Sequence, residues 1–336
     1  MGSIIKTLKP KKSAGFDSVS NFIIKKLPPS YIECLTNYFN TWLNECRYPD
    51  DWKIAKIITL NKLKPGIPKC EQTRPISLLA THSKLFEKVL LRRIRHLAET
   101  NRLVPSEQSG FRPKCLLPIR VLSIYQEVKN NMAANIPTLA LYVDYQKAYH
   151  RVWHAALLCK LEKMGMLLNL LKMTSSWLKD RIAYVEYGEI TSKIFNTNIG
   201  LPQGSSLSPY LFIVLHSHLT NYLGAHSCHL FADDLCVLIK PPIMKNLGPM
   251  IDYLEKEGTR CKKWESILSV QCPKLLKLAL ICTGPIGDDY FHQASDNFQQ
   301  ECATIPFWVE RNVTITDDED YSTHDYRSDI IIRFNI

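Results

Sequence analysis

Residues 229–239, HLFADDLCVLI, are two apolar runs broken by the adjacent aspartates Asp233 and Asp234. The flanks suit strands of a buried sheet, so the acids fall at the tip of a hairpin. Aspartate favours turns, and turn formation accounts for such a pair cheaply. Carboxylates among core strands are costly unless a cation pairs with them. Asp144 stands in a matching place, ending the continuous apolar run TLALYV at 138–143. That run suits a central strand buried on both faces. Acids at the ends of two neighbouring strands make a hard-oxygen site of the kind Mg2+ prefers, one or two carboxylates completed by substrate phosphates. Two such ions about 3.5–4 Å apart clamp the attacking and leaving oxygens of a phosphoryl transfer. Metal binding and turn capping both stay open on these residues alone.

Working outward, GLPQGSSLSP at 200–209 is a shaped loop before a helix. Ser208-Pro209 reads as the N-cap and first-turn proline of a helix running to about Leu223. Loop amides and the helix N-terminus can approach a ligand closely, and a plain connecting loop is the alternative. Hydrophobic periodicity predicts a helix over 22–46 interrupted at Pro28-Pro29, a strand over 52–60 and a polar loop over 61–73. It predicts an amphipathic helix over 85–98 that buries Leu85, Val89, Ile94 and Leu97. Further helices are expected over 119–132, 153–172 and 252–264, and a hairpin over 182–188 and 192–199 turning at Gly188-Glu189. Strands and helices mix without a regular βαβ repeat, so the class is α+β.

The chain has 336 residues, 46% of them hydrophobic, which excludes a disordered chain and allows a sizeable core. No apolar run approaches the roughly 20 residues that span a bilayer. The start, MGSIIKTLKPKK, lacks the apolar region of a secretory signal, and Lys6 stands where a myristoylation motif needs Ser or Thr. The reading is therefore an intracellular protein without a membrane partner. Residues 284–336 hold 11 acids and 3 bases, a net of −8, leaving +18 for residues 1–283. So basic a segment points to a polyanion, nucleic acid first, with plain solubility as the alternative. The 11 cysteines include no C-x-x-C pair and read as free, mostly buried thiols of a reducing compartment. His226, Cys228 and His229 alternate along one strand-like stretch and do not converge on a zinc tetrahedron.

Taken together, these features resemble the reverse transcriptase domain of non-LTR (LINE-like) retrotransposons, the jockey-like group most closely. The resemblance runs from about Lys9 to Thr283 and follows the family's order. It is carried by KKSAGFDSV at 11–19, TRPISLLATHSKLFEKVLLRRI at 73–94, SEQSGFR at 106–112, YVDYQKAYHRVWH at 142–154, GLPQGSSLSP at 200–209 and FADD at 231–234. It implies a right-hand polymerase fold of fingers and palm over residues 1–283, with the thumb missing or divergent and residues 284–336 an acidic tail of unrelated or divergent sequence. The implied activity is RNA-directed DNA polymerisation. Two Mg2+ (or Mn2+) ions would serve addition of dNTPs to the 3′-OH of a DNA primer on an RNA template. The implied setting is the nucleus, a cytoplasmic ribonucleoprotein, or both. A non-catalytic remnant that binds RNA or RNA–DNA duplex is the alternative, and a group II intron-type polymerase fits the motifs less well.

By resemblance, Asp144, Asp233 and Asp234 are the catalytic, metal-binding acids. Strand alternation turns neighbouring side chains to opposite faces, favouring Asp233 with Asp144 as metal bridges. Tyr149 resembles the family's gate against a ribose 2′-hydroxyl, with a core tyrosine as the alternative. Gln203 and Gly204 resemble residues lining the nucleotide and template pocket. Arg74 resembles the finger arginine on the incoming triphosphate, where a bidentate fork suits phosphate. Lys62 or Lys64 is the neighbouring lysine. Lys274 stands where the family carries a lysine that protonates departing pyrophosphate, although QCPK departs from the usual Asn-rooted pattern. Ala148-Tyr149-His150 replaces the family's Ala-Phe-Asp, losing an acid and adding an imidazole. With no endonuclease sequence before Lys9 and no RNase H or Cys-rich knuckle after the tail, the expectation is a truncated or decayed copy.

Overall fold

Proline placement and apolar period set the elements in chain order. The computed structural model describes residues 1–10, 14–61, 73–143, 145, 147–224, 226–262 and 276–281. All of them belong to one unit, Met1–Gly284. Helices α1 (Gly2–Lys6), α2 (Asn21–Ile24) and α3 (Pro29–Glu45) come first. The break before Pro29 follows because proline starts a helix and cannot continue one. Strands β1 (Ile54–Asn61) and β2 (Thr73–Leu78) precede α4 (Thr81–Thr100), α5 (Leu117–Ala133) and β3 (Thr138–Val143). Then come α6 (His154–Lys163), α7 (Leu168–Leu178), β4 (Ile182–Tyr187), β5 (Ile190–Thr191) and β6 (Phe195–Asn196). Helices α8 (Ser208–Leu215) and α9 (Leu219–Tyr222), strands β7 (Ser227–Phe231) and β8 (Asp234–Ile239), α10 (Leu247–Lys262) and β9 (Leu276–Ile281) follow.

The strands form two sheets. One has the order β2-β1-β4-β5, with β6 also on β4. In it β1 runs parallel to β4, Ile54 opposite Ile182. The other is antiparallel, in the order β7-β8-β3-β9. Residues 235–239 of β8 are all buried, as a strand between two neighbours requires. Helix α8 is apolar on every side and buried from Tyr210 to Leu215, so it runs through the core rather than across the surface. The α+β class read from the sequence holds.

Several local expectations are corrected. The predicted helix over 153–172 is two helices, because the chain turns back at Gly165. The helix from Ser208 stops at Leu215 and a separate turn of helix follows. Leu207, not Ser208, is the N-cap; the Ser205 hydroxyl takes over the capping, accepting from the amides of Leu207 (2.9 Å) and Ser208 (3.2 Å). The second arm of the predicted 182–199 hairpin is two short strands. In α4 the buried stripe runs through Phe86, Leu90, Ile94 and Ala98, while Val89 and Leu97 are half-buried. The polar residues Ser83 and Glu87 share that stripe because each finds a buried partner. Cys34 and Cys159 are exposed and Cys46 and Cys115 half-buried, so the thiols are not mostly buried among the described residues.

Candidate active site

Strands β7 and β8 close on a two-residue turn. Phe231 pairs with Asp234, leaving Ala232 and Asp233 at the tip. Ala232 has φ +62°, the left-handed first position that matches a tight turn to strand twist. Asp233 is half-buried and Asp234 exposed. Because Asp233 lies in the turn and Asp234 opens β8, strand alternation does not decide between them. Glycine at position 110 abuts the turn, where a Cβ would run into the Ala232 backbone.

The sheet register brings three strand ends together. Val143, the last residue of β3, pairs with Leu235 on one side and Leu276 on the other. Asp234 precedes Leu235 in the chain. Asp144 follows Val143 and Lys274 stands two residues before Leu276; both lie outside the described residues, as do Lys62 and Lys64. Among the described residues no group of three or more His, Cys, Asp or Glu side chains could hold a metal. The donors at the turn are two carboxylates that reach solvent, hard oxygens suited to Mg2+ or Mn2+ with water and phosphate completing the shell.

The loop 200–207 gathers a second group. The Gly200 amide donates to Val152 O (2.8 Å), and the Leu201 amide donates to Tyr149 O (2.7 Å). The His154 Nε2–H donates to Gly200 O (2.7 Å). The Ser77 amide of β2 donates to Gln203 O (2.7 Å). Gly204, at φ +138°, lets the loop cross β2, since a Cβ there would strike the Ser77 carbonyl. Arg74 lies three residues along β2 from Ser77, roughly 10 Å of strand. Backbone bonds thus join the loop to Tyr149 at Leu201 and, at Gln203, to the strand that carries Arg74. The half-buried Tyr149 ring stacks on Phe212 of α8 at 5.0 Å. Tyr145 meets the same Phe212 edge-on at 6.4 Å.

Three functional supports escape a reading of the sequence. Glu87, 0% exposed, holds the loop from beneath. Its Oε2 accepts from Ser205 Oγ and the Ser206 amide, both at 2.8 Å, and its Oε1 accepts from Trp177 Nε1 at 3.0 Å. Burial pushes its carboxyl above the ordinary range, and the Arg181 charge and these donors oppose that shift. Gln108 pairs with the Ala232 backbone from the 106–112 loop. Arg112 binds Glu99 at 2.6 Å, and Glu99 also accepts from Tyr210 Oη at 3.1 Å, tying that loop to α4 and α8. Nothing in spacing or composition marks Glu87; a lone acid on an apolar helical stripe was the available signal. The histidines beside β7 are separately engaged, His226 with Glu257 and His229 with Glu127, each at 3.3 Å.

The chain belongs to the reverse transcriptase (RNA-dependent DNA polymerase) family, whose profile matches residues 62–274. It is 31% identical over 284 residues to the probable RNA-directed DNA polymerase from transposon BS of Drosophila melanogaster, covering 81% of this chain and 31% of that protein. It is 27% identical over 270 residues to the RNA-directed DNA polymerase from mobile element jockey of the same species, 78% of this chain and 29% of that one. The probable RNA-directed DNA polymerase from transposon X-element is 31% identical over 233 residues, 67% and 25% of the two chains. The chain spans about a third or less of the length of these relatives. Their element names fit a non-LTR retrotransposon reverse transcriptase domain.

Proposed function

We propose that this chain is the fingers and palm of an RNA-directed DNA polymerase, residues 1–283, followed by an acidic appendage at 284–336. The observation that carries the reading is the register of Val143 with Leu235 and Leu276. Asp144 follows Val143, Asp234 precedes Leu235 and Lys274 stands two residues before Leu276, which supports grouping the three at one end of that sheet. Two divalent ions, when bound, would lower the charge barrier between a primer 3′-OH and the α-phosphate of a dNTP. Asp144, Asp233 and Asp234 would hold them. The residues' own work is positioning, which supplies most of the catalysis when no protein nucleophile takes part. Arg74, with Lys62 or Lys64, meets the triphosphate. Tyr149 fills the space a 2′-hydroxyl needs. Gln203 and Gly204 line the nucleotide and template, and Lys274 gives a proton to pyrophosphate. The +18 charge of residues 1–283 suits an RNA template and a DNA primer. Among the described residues no helix is long and apolar enough to cross a membrane. The setting proposed is the nucleus or a cytoplasmic ribonucleoprotein.

Primer extension on poly-rA/oligo-dT tests the reading. Incorporation with Mg2+, its loss with EDTA, and its abolition in Asp233→Asn at an unchanged melting temperature are the expected results. Extension that survives Asp233→Asn refutes the assignment. A parent chain that binds the duplex and extends nothing favours the non-catalytic remnant.

A further inference from the structure

We infer that Gln108 is a positioning residue that sets the Ala232-Asp233 turn and, through it, the direction of the Asp233 carboxylate. The side chain is 2% exposed. Its Oε1 accepts from the Ala232 amide at 2.9 Å and from the Gly110 amide at 2.7 Å. Its Nε2 donates to Ala232 O at 3.0 Å. One carboxamide therefore engages both the N–H and the C=O of Ala232, a non-glycine residue held at φ +62°. An L residue adopts that conformation only where its surroundings over-determine it. The turn is buried at Ala232, and buried backbone groups need partners. The carboxamide offers an acceptor and a donor side by side on one planar, uncharged group, which matches the N–H and C=O of Ala232.

The clamp is itself fixed from behind. The Ser109 amide donates to Leu230 O and the Leu230 amide to Glu107 O, both at 2.9 Å, so residues 107–109 pair with the edge of β7. Arg112 Nη1 donates to Gln108 O at 3.1 Å, and Arg120 Nη2 donates to Ser109 Oγ at 2.7 Å and Ser106 O at 2.9 Å. A Cβ on Gly110 would push the loop off the turn. These contacts reach from the 106–112 loop to the backbone that carries Asp233. A rigid supporting shell of this kind holds reacting groups within the narrow tolerance catalysis needs. The inference rests on the polymerase reading only for the use made of Asp233.

The experiment compares the full chain with Gln108→Ala and Gln108→Glu. Hydrogen exchange by mass spectrometry follows a peptide spanning 230–235, with a peptide from β3 as the internal reference. The expected result for Gln108→Ala is exchange at the turn faster by at least about tenfold, with the reference unchanged. Gln108→Glu keeps the volume and both accepted bonds but turns a carboxylate oxygen against Ala232 O, so exchange at the turn should rise there as well. It carries the same comparison if Gln108→Ala does not fold. In primer extension the rate at saturating dNTP should fall with little change in KM, since Gln108 is 2% exposed and its polar atoms are taken up by the Ala232 and Gly110 backbone. Unchanged exchange at the turn overturns the clamp whatever the activity does. A rise in KM at constant kcat overturns the positioning role. A parent chain without extension defeats the polymerase reading instead, and the exchange comparison still decides the clamp.

Discussion

Glu87→Gln is the most informative single change below the 200–207 loop. The carboxylate accepts three bonds, from Trp177 Nε1, Ser205 Oγ and the Ser206 amide. The Ser205 hydroxyl must donate its proton to Glu87, because its oxygen already accepts from Leu207 and Ser208. A carboxamide can keep at most the two bonds on one oxygen. Its NH2 then faces the Trp177 N–H, donor against donor. Leaving one buried donor unmatched costs about 1–3 kcal/mol, and an unpaired amide proton adds a similar amount. Removing a buried negative charge offsets part of this, but Arg181, itself 2% exposed, loses the charge that favours it. The net is a loss of about 2–4 kcal/mol. For a domain of this size that lowers the melting temperature by roughly 5–15 °C. Urea unfolding followed by tryptophan fluorescence measures it. A double-mutant cycle sharpens it: Trp177→Phe removes the offended donor, so it should cost less beside Glu87→Gln than alone, with a coupling of about 1 kcal/mol or more. A loss below about 0.5 kcal/mol with additive changes would refute the argument that Glu87 carries the loop.

Tyr149→Ala should admit ribonucleotides in primer extension and cost about 1–3 kcal/mol, because the half-buried ring stacks on Phe212; equal rejection of rNTPs by mutant and parent would make Tyr149 a packing residue. His216 is buried and its imidazole is pushed down to about 4. A histidine whose folded value lies below its unfolded one contributes stability that is whole above about pH 6.5 and is lost as the pH falls towards 4, roughly 3 kcal/mol in all. Urea midpoints between pH 7.5 and 4.5 should therefore fall less steeply in His216→Phe, with His82, His154 and His218, also lowered by burial, keeping part of the slope. Duplex affinity should fall with salt along a negative slope of log K against log salt, and affinity constant from low to moderate salt would reject an electrostatic footprint.

Much of this architecture was legible because its signals are local. The run TLALYV is β3 to the residue, and HLFADDLCVLI is a hairpin with Ala232-Asp233 at its tip and Asp234 opening β8. Pro28-Pro29 marks the break between α2 and α3. The losses were of two kinds. Ser208 looked like a cap, but the capping oxygen came from Ser205, because Leu207 already holds a helical backbone and only an earlier side chain reaches back to the free amides. Glu87 and Gln108 act across long separations, to Ser205 and to Ala232, and no periodicity encodes a partner more than 100 residues away. Asp233 and Asp234 break a hydrophobic pattern, and Glu87 breaks the apolar stripe of α4; Gln108, in the polar 106–112 loop, breaks none.

The two sheets are interleaved along the chain. Strands β1 and β2 form before β3 in sequence, yet their sheet takes in β4 only at Ile182, and the sheet of β3 waits for β8 and for β9 at Leu276. Neither sheet is complete until strands on both sides of the chain's midpoint have been made. On the ribosome, at about 5–20 residues per second, the β1–β2 pair therefore has an open edge for some seconds before its parallel partner is made. Such long-range, partly parallel pairing folds slowly and exposes strand edges while it does so. A nascent chain of this kind depends on what binds it during synthesis, and chaperone occupancy should persist until β9 has emerged.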